Sequence, residues 1–353
     1  MTIDFSKEWQ IIVPSDIAQV EKATADLSRC FGQIAALNGG RTEPPEIINA
    51  LEPKPSKTAS CIVLNYEKSG SDLRRNGFAW RAKSARVEIF GESSRGLCNG
   101  IYGFLAAMGI SWPEPGDEIL PKAGVGLICD SASEPSHFDE KNPFASPWRR
   151  FVPAGKSGLR KMLAKSEAFA AWAGRNRYDA LVIPMAAFVS DGQKLKQLAN
   201  FAQGYGIALE AGGHELSSLL PRKAFLLHRD YFRMEDGKRK MDHHFCPTNP
   251  GALRLIGKEA EKLFRAAGEV EPSVRKVFHL WPDSGAETAW CSCPTCRAFT
   301  TQEQNRMAVN AAADILAGLK EDAILTFYEN SGDGGKIPMR KNTFKMEKLP
   351  ESG

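Results

Sequence analysis

The sequence lacks long hydrophobic runs, concentrated charge and a recognisable leader. No stretch approaches the roughly 18 consecutive apolar residues that cross a bilayer. The first ten residues, MTIDFSKEWQ, contain no basic segment followed by an apolar one. We therefore expect no membrane partner and no secretory signal, and the cytoplasm is the default expectation for its location.

Positive and negative charges are nearly balanced. The chain carries 46 Lys and Arg against 42 Asp and Glu, a net charge of +4 that is scattered along the sequence. The densest basic run, Gly237-Lys238-Arg239-Lys240, is too short to line a nucleic-acid groove and predicts a solvated loop. We expect no nucleic-acid partner.

Length and composition are those of a folded globular protein with two domains. The chain has 353 residues, and its 42% apolar and 25% charged residues exclude disordered and collagen-like chains. Its first 122 residues predict a small α/β domain. Strands are expected at 9–13, 60–66, 77–80 and 85–90, helices at 17–37 (after the caps Ser15 and Asp16) and 97–108, and a proline-containing loop at 41–58.

Strand-like and helix-like segments alternate over residues 123–353. Strands are expected at 124–129, 179–185, 206–211, 275–280 and 323–328, and helices at 157–175, 192–205, 251–267 and 305–319. This alternation predicts a (β/α) TIM-type barrel, whose chemistry lies at the carboxyl ends of its strands. Only one further strand, around 343–348, fits after Asn330, so we expect the barrel to be incomplete, with five or six strands. Either a second copy of the chain would cover the open edge as a homo-oligomer, or a C-terminal region of a longer protein is missing.

One segment resembles known carbohydrate enzymes. Residues 89–121 read IFGESSRGLCNGIYGFLAAMGISWPEPGDEILP. This order of strand, Arg-Gly turn, Gly-Tyr-containing helix and Trp-Pro exit is similar to the end of the small N-terminal domain of α-glucuronidases and β-hexosaminidases. In those families a catalytic barrel follows, so the resemblance implies a glycoside hydrolase-like protein with domains at 1–122 and 123–353.

Two later stretches, 228–253 and 283–299, resemble an uncharacterised bacterial family, a domain of unknown function related to the α-glucuronidases. The family shows a His-Pro-Glu-Tyr-Phe-like segment, where this chain has Arg229 and Asp230 in place of the Pro and Glu. The matching positions are His228, Tyr231, Phe232, Gly237, Lys238, Arg239, Cys246, Thr248, Asn249, Pro250, Asp283, Cys291, Cys293 and Cys296.

Polar side chains follow two of the predicted barrel strands. The strand at 206–211 runs into Gly212-Gly213-His214-Glu215, where the glycines allow a sharp turn. His214 is a candidate substrate ligand, for a sugar hydroxyl or carboxylate, or alternatively a loop histidine bonded to backbone. The strand at 275–280 continues into Trp281, which is a candidate platform for a sugar ring.

Carboxylates supply the candidate catalytic groups, because glycoside hydrolysis usually needs two carboxyl groups, one of them protonated. Asp283 and Glu287 follow the strand at 275–280, and either is a candidate general acid. Burial beside Trp281 would raise the pKa of such a group. Glu329, after the strand at 323–328, is a candidate second catalytic carboxylate, and Asp130 at the end of the first barrel strand is a candidate substrate ligand.

The eight cysteines form two groups. Cys30, Cys61, Cys98 and Cys129 stand singly and are expected to be small buried hydrophobic residues. Cys291, Cys293 and Cys296 have a CxCxxC spacing that suits one tetrahedral metal, with Cys246 as the fourth ligand and His243 or His244 as substitutes. We predict a structural zinc ion; a disulfide, free thiols and an iron–sulfur centre are the alternatives.

These features lead to one main functional hypothesis. We expect a carbohydrate-active, glycoside hydrolase-like protein that hydrolyses or binds an oligosaccharide, containing uronic acid or hexosamine, by carboxylate acid/base chemistry at the barrel mouth. The alternative is a non-catalytic carbohydrate-binding or scaffold protein with a structural zinc site. A third class, a redox protein, would need a reactive and exposed thiol pair.

Overall fold

The computed structural model describes residues 3–14, 20–49, 60–66, 77–83, 85–91, 93–123, 150–270, 274–283, 285, 289–319, 323–328 and 345–349. The predicted strand at 124–129 and the candidate residues Asp130, Glu287 and Glu329 lie outside the described residues, as do the predicted caps Ser15 and Asp16.

The N-terminal part contains one five-stranded sheet and two helices. The strands are β1 (Trp9–Val13), β2 (Glu46–Asn49), β3 (Ser60–Tyr66), β4 (Phe78–Lys83) and β5 (Arg86–Gly91), and the helices are α1 (Glu21–Leu37) and α2 (Ser94–Ala107). The sheet order is β2-β1-β3-β5-β4, with β4 antiparallel to β5 and the other pairs parallel. The sequence predicted every one of these elements except β2.

Strand β2 corrects the loop predicted at 41–58. Gln10 of β1 pairs in parallel with Glu46, and the pairing continues to Val13 and Asn49. Prolines near a short segment suggested a loop, but β2 lies at the edge of the sheet. An edge strand tolerates nearby proline, because only one of its sides donates to the sheet.

A second set of elements follows from residue 150. Its helices are α3 (Gly155–Ala164), α4 (Ser166–Arg175), α5 (Met185–Ser190), α6 (Gly192–Gln203), α7 (Pro250–Gly268) and α8 (Thr301–Leu319). Its strands are β6 (Arg150–Phe151), β7 (Ala180–Ile183), β8 (Ala208–His214), β9 (Met234–Glu235), β10 (Lys238–Arg239), β11 (Val274–Trp281), β12 (Ile324–Tyr328) and β13 (Lys345–Leu349). The helix predicted over 157–175 is interrupted at Lys165, which separates α3 from α4.

Six of these strands form a second sheet. Their order is β13-β12-β11-β8-β7-β6, and the pairs β6–β7, β8–β11, β11–β12 and β12–β13 are parallel. The predicted mixed α/β class with a parallel sheet is therefore confirmed. Within the described residues this sheet is open, and the predicted TIM-type barrel, incomplete at its C-terminus, stays a prediction.

The chain divides into two compact units. One comprises residues 1–181 and 197–208, and the other comprises 182–196 and 209–353. In the first unit, Arg95 of the Arg-Gly turn is 6% exposed. Its guanidinium donates to the carbonyls of Tyr205 and Tyr178, each at 2.8 Å, and lies 3.6 Å from the Asp179 carboxylate. The domain bounds at 1–122 and 123–353 stay a prediction.

Candidate functional site

The ends of β8 and β11 bring together three of the predicted site residues. In the parallel pair, Trp281 lies opposite His214, and Pro282 and Asp283 continue beyond the strand. The predicted turn at Gly212 and Gly213 lies within β8, where both residues have positive φ angles of 117° and 129°. Side chains at these two strand ends therefore meet at one edge of the sheet, as the barrel hypothesis expected.

His214 is exposed, and one of its ring nitrogens is assigned by its partner. Nδ1 lies 2.8 Å from the carbonyl oxygen of Pro282. Because a carbonyl can only accept, Nδ1 carries the proton and Nε2 is the acceptor nitrogen of the neutral ring. The imidazole also contacts the Trp281 ring edge to face, with centroids 5.1 Å apart.

Glu215 follows His214 and is the acid that the sequence did not single out. Its Oε1 accepts a hydrogen bond from the backbone N–H of Met185, the first residue of α5, at 2.5 Å. Burial of the carboxyl group raises its pKa to about 7; the Met185 hydrogen bond opposes this shift, and the Asp283 charge adds to it. Glu215 thus exchanges a proton near neutral pH.

Asp283 is the carboxylate that neighbours Glu215. Its Oδ1 accepts from the backbone N–H of Ser217 at 3.1 Å, which fixes the start of the short 3₁₀ helix at 216–219. Burial lowers the pKa of Arg222, an effect that the negative charge of Asp283 opposes. Asp283 therefore lies within electrostatic range of both an acid and a cation.

Trp281 is only 3% exposed, and its indole is fixed by a hydrogen bond to a neighbouring strand. Its Nε1–H donates to Thr326 Oγ1 at 3.0 Å. The same hydroxyl lies 2.6 Å from His279 Nδ1, and His279 Nε2 lies 2.9 Å from Glu210 Oε2. Glu210, His279 and Thr326 were not predicted as site residues. The available signal was a single polar residue between apolar neighbours in each strand: Glu210 in β8, His279 in β11 and Thr326 in β12.

Four cysteines form the second candidate site, as predicted. The Sγ atoms of Cys246, Cys291, Cys293 and Cys296 all lie within 4.8 Å of one another, and none of these side chains is more than 4% exposed. The Sγ atom of Cys246 lies 3.8 Å from that of Cys293 and 3.6 Å from that of Cys296. A disulfide bond would bring two sulfurs to about 2.05 Å, so these cysteines are free.

The distances fit one tetrahedral ion. Zinc–thiolate bonds of about 2.3 Å place the sulfurs of a tetrahedron about 3.8 Å apart. The backbone N–H of Met234 and the Arg239 guanidinium donate to Cys291 Sγ at 3.3 and 3.6 Å. Hydrogen bonds from Cys291 and Cys296 lower the pKa of Cys246, and the hydrogen bond with Cys246 raises the pKa of both Cys291 and Cys296, so one thiolate forms first in the group. The donor set therefore fits zinc, and tetrahedral iron has the same preference.

The four-cysteine group includes neither of the histidines predicted as substitute ligands. His244 is buried and stacks on Trp290 with ring centroids 4.2 Å apart, and His243 is exposed with a φ of 44°. Among the single cysteines, Cys30 and Cys98 are buried and Cys61 is partly exposed. Cys129 lies outside the described residues.

No helix in the described part of the chain is long and apolar enough to cross a membrane. Comparison with known proteins gives no match to a protein-family model and no match to a curated protein.

Solved structures of carbohydrate enzymes share the fold. The GH20 exo-β-N-acetylglucosaminidase of Vibrio harveyi, in complex with N-acetylglucosamine, aligns with a TM-score of 0.51 and 10% identity over 99% of this chain and 55% of its own. The chitobiase of Flavobacterium johnsoniae aligns with a TM-score of 0.51 and 12% identity over 93% of this chain and 50% of its own. The chain spans about half the length of both. It has a glycoside hydrolase-like fold.

Proposed function

We propose that the protein is a carbohydrate-active, glycoside hydrolase-like protein whose site lies at the ends of β8 and β11. The observation that carries the proposal is the pair formed by Glu215, with a pKa of about 7, and the neighbouring carboxylate Asp283. A glycosidase needs one carboxyl group that holds its proton at neutral pH and a second that is ionised. This pair supplies both at the position where the shared fold presents its loops.

Each residue has a role in this proposal. Glu215 donates a proton to the leaving-group oxygen, because a substantial fraction remains protonated at pH 7. Asp283 stabilises the positive charge that develops on the sugar or activates water. His214 Nε2 accepts a hydrogen bond from a sugar hydroxyl. Trp281 is 3% exposed and contacts the His214 ring, so its role in this proposal is to support the histidine.

The other predicted residues keep their proposed roles. Glu287 and Glu329 are further candidate catalytic carboxylates, and Asp130 is a further candidate substrate ligand. All three were predicted from the sequence to follow barrel strands, so the proposal includes a TIM-type barrel. A second copy of the chain remains the proposed partner for the open edge at β13, and light scattering of purified protein tests that partner.

The substrate proposal is a sugar that carries hexosamine or uronic acid. The hexosamine alternative draws on the two solved enzymes, whose names are those of an N-acetylglucosaminidase and a chitobiase. The uronic-acid alternative rests on the sequence resemblance to α-glucuronidases. Aryl glycosides of N-acetylglucosamine, N-acetylgalactosamine and glucuronic acid separate these substrates by the product released.

The decisive experiment compares Glu215→Gln and Asp283→Asn with the wild-type chain on the substrate that is turned over. We expect kcat/KM to fall at least about 100-fold in each variant, the usual contribution of general acid or base catalysis. Glu261→Gln is the matched control. Glu261 lies on α7, where its carboxylate accepts exposed hydrogen bonds from Arg265 of the same helix. Unchanged activity in both site variants would reject these roles.

The second candidate function is carbohydrate binding without catalysis. It is favoured by the backbone contacts of both carboxylates, since Glu215 accepts from Met185 and Asp283 accepts from Ser217. Such contacts also suit carboxylates whose role is to hold loops. Calorimetric binding of the same sugars with no product release would select this alternative.

We also propose that the four cysteines hold a structural zinc ion. Zinc bound by four thiolates has no open position, so it would hold the loop containing Cys246 to the segment after β11 without entering the reaction. A redox role is disfavoured, because a reactive thiol must be reachable and these thiols are at most 4% exposed.

A further inference from the structure

A buried polar row crosses three strands beneath the candidate site. It consists of Glu210 on β8, His279 and Trp281 on β11, and Thr326 on β12, and none of the four is more than 3% exposed. His279 lies directly opposite Thr326 in the parallel register. Polar groups buried in this way stabilise a fold only when their hydrogen bonds are made, so their directions can be worked out.

The groups at the two ends of the row, the Trp281 indole and the Glu210 carboxylate, determine which atom donates in each hydrogen bond. An indole N–H can only donate, so Thr326 Oγ1 accepts the hydrogen bond from Trp281 at 3.0 Å. The Thr326 hydroxyl hydrogen is then available for His279 Nδ1, which lies 2.6 Å away. The Glu210 carboxylate can only accept, so His279 donates to it from Nε2 at 2.9 Å, and the neutral ring then accepts the Thr326 hydroxyl hydrogen at Nδ1.

We infer that Thr326 is a positioning residue, which orients the end of β11 that carries the candidate site. Three consecutive residues of that end are engaged. Trp281 donates to Thr326, the carbonyl of Pro282 accepts from His214, and the carboxylate of Asp283 accepts from Ser217. Because Thr326 fixes the first of these residues from a different strand, it sets the orientation in which the next two meet their partners.

The consequence for His214 rests on the proposed function. The imidazole contacts the Trp281 ring at 5.1 Å and donates to the carbonyl of the adjacent residue. If the indole rotates, His214 loses the ring that supports one side of the imidazole and keeps only its bond to the backbone carbonyl of Pro282. Thr326 therefore controls where His214 Nε2 points, although its own hydroxyl is fully buried and cannot touch a sugar.

The test uses the full chain labelled with ¹⁵N-tryptophan and ¹⁵N-histidine, and it needs no sugar. We expect the Trp281 indole N–H to exchange with solvent at least about tenfold faster in Thr326→Val, as loss of one buried hydrogen bond implies. Thr326→Ser keeps the hydroxyl and restores slow exchange. Trp9, whose Nε1–H donates to the carbonyl of Asp4 at 2.9 Å, is the reference signal in the same spectrum.

The histidine signals test the direction of the row independently. We expect the ¹⁵N shifts of His279 to show a protonated Nε2 and an unprotonated Nδ1 in the wild-type chain. A protonated Nδ1, or unchanged indole exchange in folded Thr326→Val, overturns the inference. If Thr326→Val does not fold, Trp281→Phe removes the donor from the other end and leaves Thr326 in place. His279 should then keep its Nε2–H form, because Glu210 still accepts that proton, whereas the ¹⁵N shifts of His214 should change; unchanged His214 signals would overturn the inference.

A sugar-binding arm separates this inference from the proposed function. With a sugar that the wild-type chain binds, we expect Thr326→Val to raise the dissociation constant about tenfold and Thr326→Ser to restore the wild-type value. Equal affinity in all three proteins overturns control of His214 by Thr326. If the wild-type chain binds no sugar, the proposed function fails, whereas the exchange and histidine measurements still decide the role of Thr326.

Discussion

The Sγ atoms of Cys246 and Cys296 lie 3.6 Å apart, although fifty residues separate them in the sequence. That distance is close to the edge of a thiolate tetrahedron around one zinc ion, about 3.8 Å. Four buried thiols at such spacing repel one another once they ionise, unless a cation lies between them. We therefore expect the cluster to be more stable with a metal than without one.

The first prediction concerns this metal. Purified wild-type protein should contain about one zinc ion per chain, and Cys296→Ser should lose it and unfold with about 4 kcal/mol less free energy, as expected for loss of a structural metal. Mass spectrometry of the metal and urea unfolding measure the two effects. Cys61→Ser is the control, because Cys61 is partly exposed and lies outside the cluster. Equal zinc content in wild type and Cys296→Ser would contradict the site. If the wild-type protein instead contains iron, which absorbs visible light, iron replaces zinc in the proposal.

The second prediction is a pH dependence of stability caused by Glu215. Its folded pKa of about 7 lies above the ordinary 4.5, so the unfolded chain releases this proton first as the pH rises. Its contribution to stability is fully present below pH 4.5 and is lost as the pH rises through 7. Between pH 5.5 and 8.5, the wild-type chain should lose about 2 kcal/mol more unfolding free energy than Glu215→Gln loses.

Urea unfolding of both proteins at the two pH values measures this difference. The comparison cancels titration elsewhere in the chain, including that of the cysteine cluster. Parallel pH dependence of the two proteins would show that Glu215 ionises at its ordinary pKa.

The third prediction tests the coupling between the two carboxylates. The charge of Asp283 is one of the causes that raise the pKa of Glu215. In Asp283→Asn we therefore expect the pKa of Glu215 to fall below its wild-type value of about 7. Carbon-13 NMR of the labelled Glu carboxyl groups, with Glu215→Gln to assign the signal, follows the titration directly. A Glu215 pKa that does not change in Asp283→Asn would place the two carboxylates out of electrostatic range.

The sequence allowed much of the fold to be predicted, because its strong patterns are local. The apolar run at 323–328 coincides with β12 within one residue, and the helix expected at 251–267 coincides with α7 within one residue at each end. The CxCxxC spacing likewise predicted that the thiols of Cys291, Cys293 and Cys296 lie together. Strand β2 was missed, because its two isoleucines, close after Pro44 and Pro45, form too short a run to distinguish an edge strand from a loop.

The rest of the candidate site depends on distances that no local pattern contains. Glu215 was noticed only as a carboxylate beside His214, because its raised pKa comes from burial and from Asp283, a residue that follows another strand. Thr326 and His279 are ordinary strand residues until the register places them opposite each other. Their contact with Trp281 could be predicted only once the strand order was known.

The fourth prediction concerns the Arg-Gly turn of the N-terminal resemblance. Arg95→Ala removes the donor to the carbonyls of Tyr205 and Tyr178 and the cation beside Asp179. Because these groups are buried, we expect a loss of about 3–5 kcal/mol in unfolding free energy. Arg86→Ala is the control, since Arg86 is exposed and its ion pair should contribute less than about 1 kcal/mol. Similar losses in both variants would show that Arg95 does not hold this part of the structure.

The last prediction uses two glycines with opposite surroundings. A Cβ added to Gly212 would lie only 2.0 Å from the carbonyl oxygen of His279, and the φ of 117° at Gly212 already disfavours any other residue. We expect Gly212→Ala to lower the unfolding free energy by about 3 kcal/mol or more, as overpacking in a core does, and to displace His214. Gly318 on α8 has no atom within 4 Å of an added Cβ. Gly318→Ala should therefore raise the unfolding free energy by about 0.5–1 kcal/mol through helix propensity. Urea unfolding of the two variants measures both signs, and a stable Gly212→Ala would contradict the close approach of β8 and β11.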